Sequence, residues 1–185
     1  NLNYQYTFMF LLSLDFFISR KLNKISDIHI IKNFFKGISR LGDGIFWYVL
    51  IIFIIIFEEL HRSIPIIIHM TAAGLTGTIL YKCLKKRTSR PRPYQIDSQI
   101  KNQGKVIDHF SFPSGHTLHA VIFSMIAISY YPIFLYPLII ITILIGFSRI
   151  ILGLHYPSDV IFAVFLGFLI VKTYDTFNFF GFVQF

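Results

Sequence analysis

The chain has 185 residues, of which 55% are hydrophobic and 18% aromatic, and its formal net charge is +8. Only 14% of the residues are charged, whereas a soluble domain carries about 25%, so the composition excludes an ordinary water-soluble domain. In a membrane protein this positive charge favours anionic lipid or a phosphorylated substrate over nucleic acid. The single cysteine, Cys83, excludes an intramolecular disulfide and a thiolate metal site.

Six apolar runs predict an all-α membrane domain that occupies residues 1–185 and crosses the membrane six times. Several runs are shorter than the ~20 residues of a full crossing, but tilted ends and interfacial aromatic residues can extend them. The runs cover residues 1–18, 45–57, 64–81 and 117–131, a stretch that follows Pro132 and ends near Leu152, and 157–171. Small residues in the third run, Ala72-Ala73-Gly74 and Gly77, allow close helix packing.

The first run does not resemble a signal peptide, because no positive charge precedes it and no small-residue cleavage site follows. Asp15 interrupts this run and His69 interrupts the third. Polar groups inside apolar helices are often functional, but here we expect hydrogen bonds between helices.

Residues 20–43 predict an amphipathic helix on the membrane surface, in addition to the six crossings. Apolar residues recur there at a helical period, with basic residues beside them. We expect Gly42-Asp43-Gly44 to end this helix.

The hydrophilic segment 82–111 carries a basic cluster that starts at Lys85 and ends at Pro93. Segments of this length inside a compact domain are usually functional or disordered. The planar fork of Arg92 and the point charge of Lys85 both suit phosphate oxygens. Alone, the cluster is more typical of a juxtamembrane patch that binds anionic headgroups.

Residues 112–116, Phe-Pro-Ser-Gly-His, stand where this segment gives way to an apolar run. Ser114 is a preferred N-cap residue, and a helix that starts there directs N–H groups and a positive dipole end at an anion. His116 follows in the first turn and titrates near neutral pH. An ordinary capped helix with an incidental histidine explains the pentapeptide equally well. Asp108 and His109, just before it, are expected to shape the mouth of a pocket.

A third cluster joins Arg149, His155 and Asp159. Arg149 lies near the end of an apolar run, where an unpaired charge is usually functional. The spacing of four lets the Asp159 carboxylate hold one imidazole N–H of His155 and leaves the other nitrogen free as a nucleophile. A His-Asp pair that merely closes a helix turn is the alternative, and His-x3-Asp alone favours it.

Following the six crossings back and forth places the three clusters on one face of the membrane. The end of the third run, the start of the fourth and the end of the fifth all reach that face. It collects Lys85, Arg92, Ser114, His116, Arg149, His155 and Asp159. Their convergence predicts a single site.

The three clusters together resemble the type-2 phosphatidic acid phosphatase superfamily, which includes membrane lipid phosphatases and soluble vanadium haloperoxidases. The motifs are Lys-x6-Arg-Pro (Lys85, Arg92, Pro93), Pro-Ser-Gly-His (Pro113 to His116) and Ser-Arg-x5-His-x3-Asp (Ser148, Arg149, His155, Asp159). Every motif position is present and in order, and the six-crossing layout extends the resemblance to most of the chain.

The resemblance implies a metal-independent enzyme without a cofactor. His155 attacks phosphorus and becomes a phosphohistidine, and Asp159 orients it. His116 protonates the leaving oxygen and then activates water. The phosphoryl oxygens are held by Lys85, Arg92, Ser114, the Gly115 backbone and Arg149. Fixed positive charge around those oxygens is what the transition state requires.

The expected substrates are lipid phosphates or pyrophosphates, namely phosphatidate, phosphatidylglycerol phosphate, undecaprenyl pyrophosphate or lipid A phosphate. A lipid phosphotransferase would use the same phosphohistidine, and a haloperoxidase would need vanadate in the same pocket, which the membrane runs argue against. A non-catalytic lipid-binding or transport protein would not need both histidines and Asp159. Oligomeric state cannot be read from the sequence.

Two arguments about orientation conflict. All Lys and Arg residues except Arg62 and Lys172 fall on the motif face, which the positive-inside rule makes cytoplasmic. Bacterial relatives are generally thought to work at the periplasmic face of the inner membrane. We therefore expect a bacterial inner-membrane protein with a periplasmic site, against the distribution of basic residues.

Overall fold

The computed structural model describes residues 2–176, with side chains from Leu12 onward, and every regular element in that range is helical. The all-α prediction is therefore confirmed. The helices are α1 (Leu2–Asn23), α2 (His29–Arg40), α3 (Phe46–Phe57), α4 (Leu60–Thr88), α5 (Pro93–Ile96), α6 (Gly115–Tyr130), α7 (Leu135–Ile151) and α8 (Pro157–Thr176).

Four helical segments of the described chain are long and apolar enough to cross a membrane. They are His29–Phe57, Leu60–Ile96, Pro132–Ile151 and Pro157–Thr176. Helix α6 is apolar but has only 16 residues. Large apolar side chains such as Phe57 and Ile161 are exposed on the outer surface, as expected where lipid replaces water. The chain is an integral membrane protein, and the count of six crossings stays a prediction.

Helix α6 lies at the centre of the bundle, where its most extensive contacts are with α8, α4 and α7. Glycines of the surrounding helices allow this close approach. A Cβ at Gly77 of α4 would lie 2.7 Å from Ile122, and one at Gly167 of α8 would lie 2.8 Å from Val121. The packing role predicted for the small residues of the third run is thus confirmed.

The turn between α2 and α3 differs from the prediction. Helix α2 is amphipathic as expected, but the chain does not stop at the Gly-Asp-Gly sequence. It continues through a π turn, Leu41–Ile45, with a kink at Gly44, whose φ of +111° favours glycine. Gly42 packs so closely on α6 that a Cβ there would lie 3.0 Å from His116 Cδ2. The kink therefore presents Asp43 to the start of α6.

The hydrophilic segment begins later than the sequence predicted. Helix α4 continues through the basic residues to Thr88, because cations are favourable in the last turn of a helix. The remaining chain is tied down by Asn23 at the end of α1. Its amide donates to the carbonyls of Ile151 at 2.9 Å and Lys101 at 3.0 Å. This segment therefore packs on the same end of the bundle as the motifs.

Gly153, in the loop between α7 and α8, provides a test of this arrangement. Its φ is +75°, and a Cβ there would lie 2.5 Å from the Lys101 carbonyl oxygen. We expect Gly153→Ala to destabilise the protein by about 1–3 kcal/mol, measured as a lower midpoint of thermal unfolding in detergent. The matched control is Gly37→Ala in α2, where nothing lies within 4 Å of the added Cβ. Equal midpoints for both variants would contradict this account of the loop.

Candidate active site

A polar cavity of about 190 Å³ opens at the end of the bundle where α4, α6, α7 and the π turn between α2 and α3 meet the hydrophilic segment. Five of the eight predicted site residues line it. The full lining is Gly42, Asp43, Tyr81, Arg92, Ile107, Asp108, Gly115, His116, His119, Arg149 and His155. The predicted convergence of the three clusters on one site is therefore present in the structure.

The other three predicted residues, Lys85, Ser114 and Asp159, are buried directly behind this lining. Lys85 and Asp159 each contact a lining residue. Ser114 occupies the N-cap position of α6, but its hydroxyl bonds the Thr117 hydroxyl at 2.9 Å and does not accept a backbone N–H of the helix.

His155 lies in the loop after α7 and is only 2% exposed. Its Nδ1 is 3.5 Å from Asp159 Oδ2, and its Nε2 is 3.5 Å from an Arg92 nitrogen. Burial, together with the positive charges of Arg92 and Arg149, lowers the pKa of His155 well below its usual value. The imidazole is therefore neutral at pH 7, which is the form that can act as a nucleophile.

Asp159 is fully buried in the first turn of α8. Its Oδ2 accepts the Tyr156 N–H at 2.9 Å, and its Oδ1 accepts a hydrogen bond from Arg90 at 2.6 Å. The sequence predicted that this carboxylate holds an N–H of His155. The two side chains are adjacent, but His155 Nδ1 makes no hydrogen bond to any described residue. Catalytic hydrogen bonds are often this long before substrate binds.

Asp108 brings two of the predicted phosphate ligands together. Its Oδ1 accepts hydrogen bonds from Lys85 Nζ at 2.9 Å and from Arg92 Nη2 at 2.7 Å. Burial alone would raise the pKa of Asp108, but Lys85 and Arg92 lower it by more, so the group is a carboxylate. Both cations thus already surround one anionic oxygen, which is the geometry that a phosphoryl oxygen needs.

Arg92 and Arg149 are fixed in other ways as well. Arg92 donates to the Leu154 carbonyl at 2.8 Å, next to His155. Arg149 donates from Nη1 to Ser39 of α2, and its buried Nε has no hydrogen-bond partner among the described residues. Arg149 thus lines the cavity while one of its buried donors is unpaired among the described residues.

His116 stands at the start of α6 and its Nε2 is hydrogen-bonded to Asp43 of the π turn. Its side chain is 12% exposed, so it is more open to water than His155. Sequence analysis missed Asp43 as a site residue, because it interpreted the Gly-Asp-Gly turn as a helix end. A carboxylate between two glycines beside a basic helix is the signal that could have revealed it.

Sequence analysis also did not place Arg90 and Asp15, which lie outside the cavity, near the site. Arg90 was counted only as part of the basic cluster, although it contacts Asp159. Asp15 was expected to make hydrogen bonds between helices, and this is confirmed by its contacts with Arg90 and Ser158. His69 likewise bonds Tyr130 of α6 at 3.3 Å.

The expectation that Asp108 shapes the pocket is confirmed, whereas His109 does not line this cavity.

A second cavity, of about 340 Å³ and lined largely by apolar side chains, adjoins the first. It lies between α3 and α4, and its lining includes Trp47, Leu75 and Phe123. The two cavities share Gly42, Asp43 and His119. A polar, cationic cavity therefore lies directly beside an apolar one between two membrane helices.

The described residues contain no group of three or more His, Cys, Asp or Glu side chains that could hold a metal ion.

This fold and site define an all-helical membrane protein with a cationic, histidine-containing pocket. The PAP2 superfamily model matches residues 62–180, and the chain belongs to that superfamily. The match includes all the motif residues from Lys85 to Asp159.

Two curated relatives come from Bacillus subtilis (strain 168). The chain is 32% identical to Undecaprenyl-diphosphatase BcrC over 114 residues, which is 58% of this chain and 58% of that protein. It therefore spans less than two thirds of that relative. It is 29% identical to Phosphatidylglycerophosphatase B over 160 residues, 75% of this chain and 72% of that protein.

Two crystal structures are also similar. The transmembrane PAP2-type phosphatidylglycerolphosphate phosphatase from Bacillus subtilis aligns with a TM-score of 0.72 and 24% identity, over 91% of this chain and 86% of that one. Aquifex aeolicus LpxE aligns with a TM-score of 0.70 and 27% identity, over 84% of this chain and 90% of that one. The first of these likenesses shows the shared fold only.

The position of Asp108 predicts how anions bind. Because its negative charge faces the cavity, Asp108→Asn should tighten the binding of orthovanadate, a tetrahedral oxyanion, roughly tenfold, since a contact charge is worth more than 1.4 kcal/mol even at an effective dielectric of 20. Isothermal titration with orthovanadate measures this.

The control is Asp97→Asn, which removes a buried carboxylate of the same segment that pairs with Arg20 and does not line the cavity. Unchanged or weaker binding in Asp108→Asn would show instead that Asp108 is needed to orient Lys85 and Arg92.

Proposed function

We propose that this protein is a membrane lipid phosphatase that removes a terminal phosphate from a lipid phosphate or pyrophosphate. The observation that carries the proposal is the position of the cationic cavity next to the apolar one, with three lining residues in common. A phosphorylated headgroup would fit the first cavity and an apolar chain the second. The names of the curated relatives, a diphosphatase and a phosphatidylglycerophosphatase, agree with this class. Phosphatidate, phosphatidylglycerol phosphate, undecaprenyl pyrophosphate and lipid A phosphate remain candidate substrates.

The proposed reaction begins with the neutral His155. Its Nδ1 lies beside Asp159, so Nε2 is the nitrogen that attacks phosphorus. The P–O bond to the lipid breaks, and His116 gives its proton to the leaving oxygen. The product of this step is a phosphohistidine and a lipid with one phosphate fewer.

Water completes the cycle. His116 takes a proton from a water molecule, the water oxygen attacks phosphorus, and the P–N bond breaks with its electron pair returning to His155. Asp43, which is bonded to His116, stabilises the imidazolium in the states where it carries the proton. Inorganic phosphate is released and no metal takes part in this scheme.

The phosphoryl oxygens are held by fixed positive charge and by N–H donors. The cavity is lined by Arg92, Arg149 and the Gly115 end of α6. Lys85 lies behind this lining and donates a hydrogen bond to Asp108, which lines the cavity. Ser114 sets the start of α6. In this scheme the phosphoryl oxygens accept hydrogen bonds from Lys85 and Arg92, beside Asp108 or in its place. The two cations then compensate the negative charge that develops in the transition state.

We also propose that the whole chain forms one domain that crosses the membrane six times, with α1, α3, α4, α6, α7 and α8 as the crossings and α2 at the interface. We place the site at the periplasmic face of a bacterial inner membrane, the orientation that the family resemblance implies. Support comes from the apolar exposed surface of these helices and from the fold shared with a transmembrane phosphatase.

Phosphate release tests the reaction. The purified protein should release inorganic phosphate from at least one of the four candidate lipids. His155→Ala and His116→Ala should lose at least about a thousandfold in rate, as triad residues do. Rapid quenching with ³²P-labelled substrate should leave base-stable, acid-labile label on the wild type and none on His155→Ala. Full function in His116→Ala would favour a non-catalytic lipid-binding protein, and label that moves to an added acceptor lipid would indicate a phosphotransferase.

Orientation has its own test. With six crossings and a periplasmic site, a reporter fused after Phe185 should lie in the cytoplasm, so a fluorescent protein should be bright and an alkaline phosphatase fusion inactive. The reverse pattern would place the site at the cytoplasmic face, in agreement with the distribution of basic residues.

A further inference from the structure

We propose that Arg90 and Asp15 are positioning residues for the reaction, which hold Asp159, and through it His155, in the geometry of attack. This inference rests on the proposed function. Neither residue belongs to the three motifs, and neither lines the polar cavity. The case depends on a chain of close contacts that runs from α1 to the nucleophile.

The first link joins Arg90 to the carboxylate that faces His155. Asp159 Oδ2 lies on the His155 side, and Arg90 Nη1 binds the other oxygen, Oδ1, at 2.6 Å. The same nitrogen donates to Ser158 Oγ at 2.8 Å. Since Asp159 is fully buried, this guanidinium is its compensating charge, and it fixes the rotation of the carboxylate from behind.

The second link joins Arg90 to α1. Its other terminal nitrogen, Nη2, donates to Asp15 Oδ2 at 2.7 Å. The guanidinium also lies over the Tyr156 ring, 4.0 Å from its centroid, a favourable cation–π contact. Arg90 is thus a planar fork between two carboxylates from different helices, and lysine cannot reproduce that geometry.

The third link returns from Asp15 to the start of α8. Asp15 Oδ1 accepts the backbone N–H of Ser158 at 3.0 Å, and Oδ2 also accepts the Ser158 hydroxyl. Asp15 therefore caps the helix that carries Asp159 and anchors Arg90 at the same time. The presence of Asp15 in an apolar helix is thus explained by its contacts with Arg90 and with the start of α8.

These contacts predict a specific kinetic effect. Arg90→Gln should leave phosphate binding intact and weaken only the attack, because Arg90 touches Asp159 and not the cavity. We expect kcat for p-nitrophenyl phosphate to fall roughly 10- to 100-fold, the range for partners that orient a reactive group, with KM within about twofold of the wild type. Arg90→Lys should recover part of the loss.

Asp15→Asn keeps the shape of the side chain and should lower kcat by a smaller factor. In the Arg90→Gln background it should cause little further loss, because the two residues act as one unit. The matched control is Arg87→Gln, an exposed arginine of the same basic cluster, which should keep wild-type kcat and KM. Thermal midpoints are measured for all variants, so that rates refer to folded protein.

Several outcomes would overturn the inference. A rise in KM with unchanged kcat would mean that Arg90 binds phosphate. A loss of rate that only follows the amount of folded protein, in Asp15→Asn as in Arg90→Gln, would mean that the network is structural. If His155→Ala is inactive while Arg90→Gln has wild-type kcat, the positioning role of Arg90 is wrong but the proposed phosphatase function is retained. If His155→Ala stays active, the proposed function fails first.

Discussion

Three cations are buried at one end of a membrane bundle, and the rest of the structure depends on how they are accommodated. Lys85, Arg92 and Arg149 are at most 5% exposed. An uncompensated buried charge is strongly destabilising. The protein supplies Asp108, backbone carbonyls and Ser39 as partners, yet one donor of Arg149 is left over. The site is therefore built around an excess of positive charge, which an incoming anion would complete.

Each of the two histidines has its own carboxylate, and the two pairs differ in setting. His155 is enclosed with Asp159 and surrounded by cations, so it is held neutral. His116 is hydrogen-bonded to Asp43 at the more open side of the cavity, where water can reach it. The fold therefore places two histidine–carboxylate pairs of different exposure in one small cavity. In the proposed reaction the enclosed histidine is the nucleophile and the more open one carries the proton.

Much of this could be predicted from the sequence. The apolar runs indicated a helical membrane domain, and the parity of the crossings brought Lys85, His116 and His155 to one end, as the structure shows. The prediction depended on spacing within motifs and on alternation along the chain, both of which are local properties that a sequence displays.

What the sequence could not predict depends on packing between distant segments. Asp43 meets His116 across 73 positions, and Asp15 meets Arg90 across 75. No periodicity links such pairs, because a short polar side chain finds its partner only when two helices are placed side by side. The kink at Gly44 was missed for the same reason, since α6 rather than the local sequence decides whether the chain stops or bends there. The extension of α4 to Thr88 was missed because its basic last turn has the composition of a loop.

The π turn has one more consequence. Asp43 and Gly42 line both the polar and the apolar cavity, so a hydrocarbon chain packed between α3 and α4 would lie against the same turn whose Asp43 carboxylate is bonded to the histidine at the start of α6. If the proposed function holds, one turn would thus contact the lipid tail and also orient the histidine that carries the proton. Changes in acyl or prenyl length would then alter turnover as well as affinity.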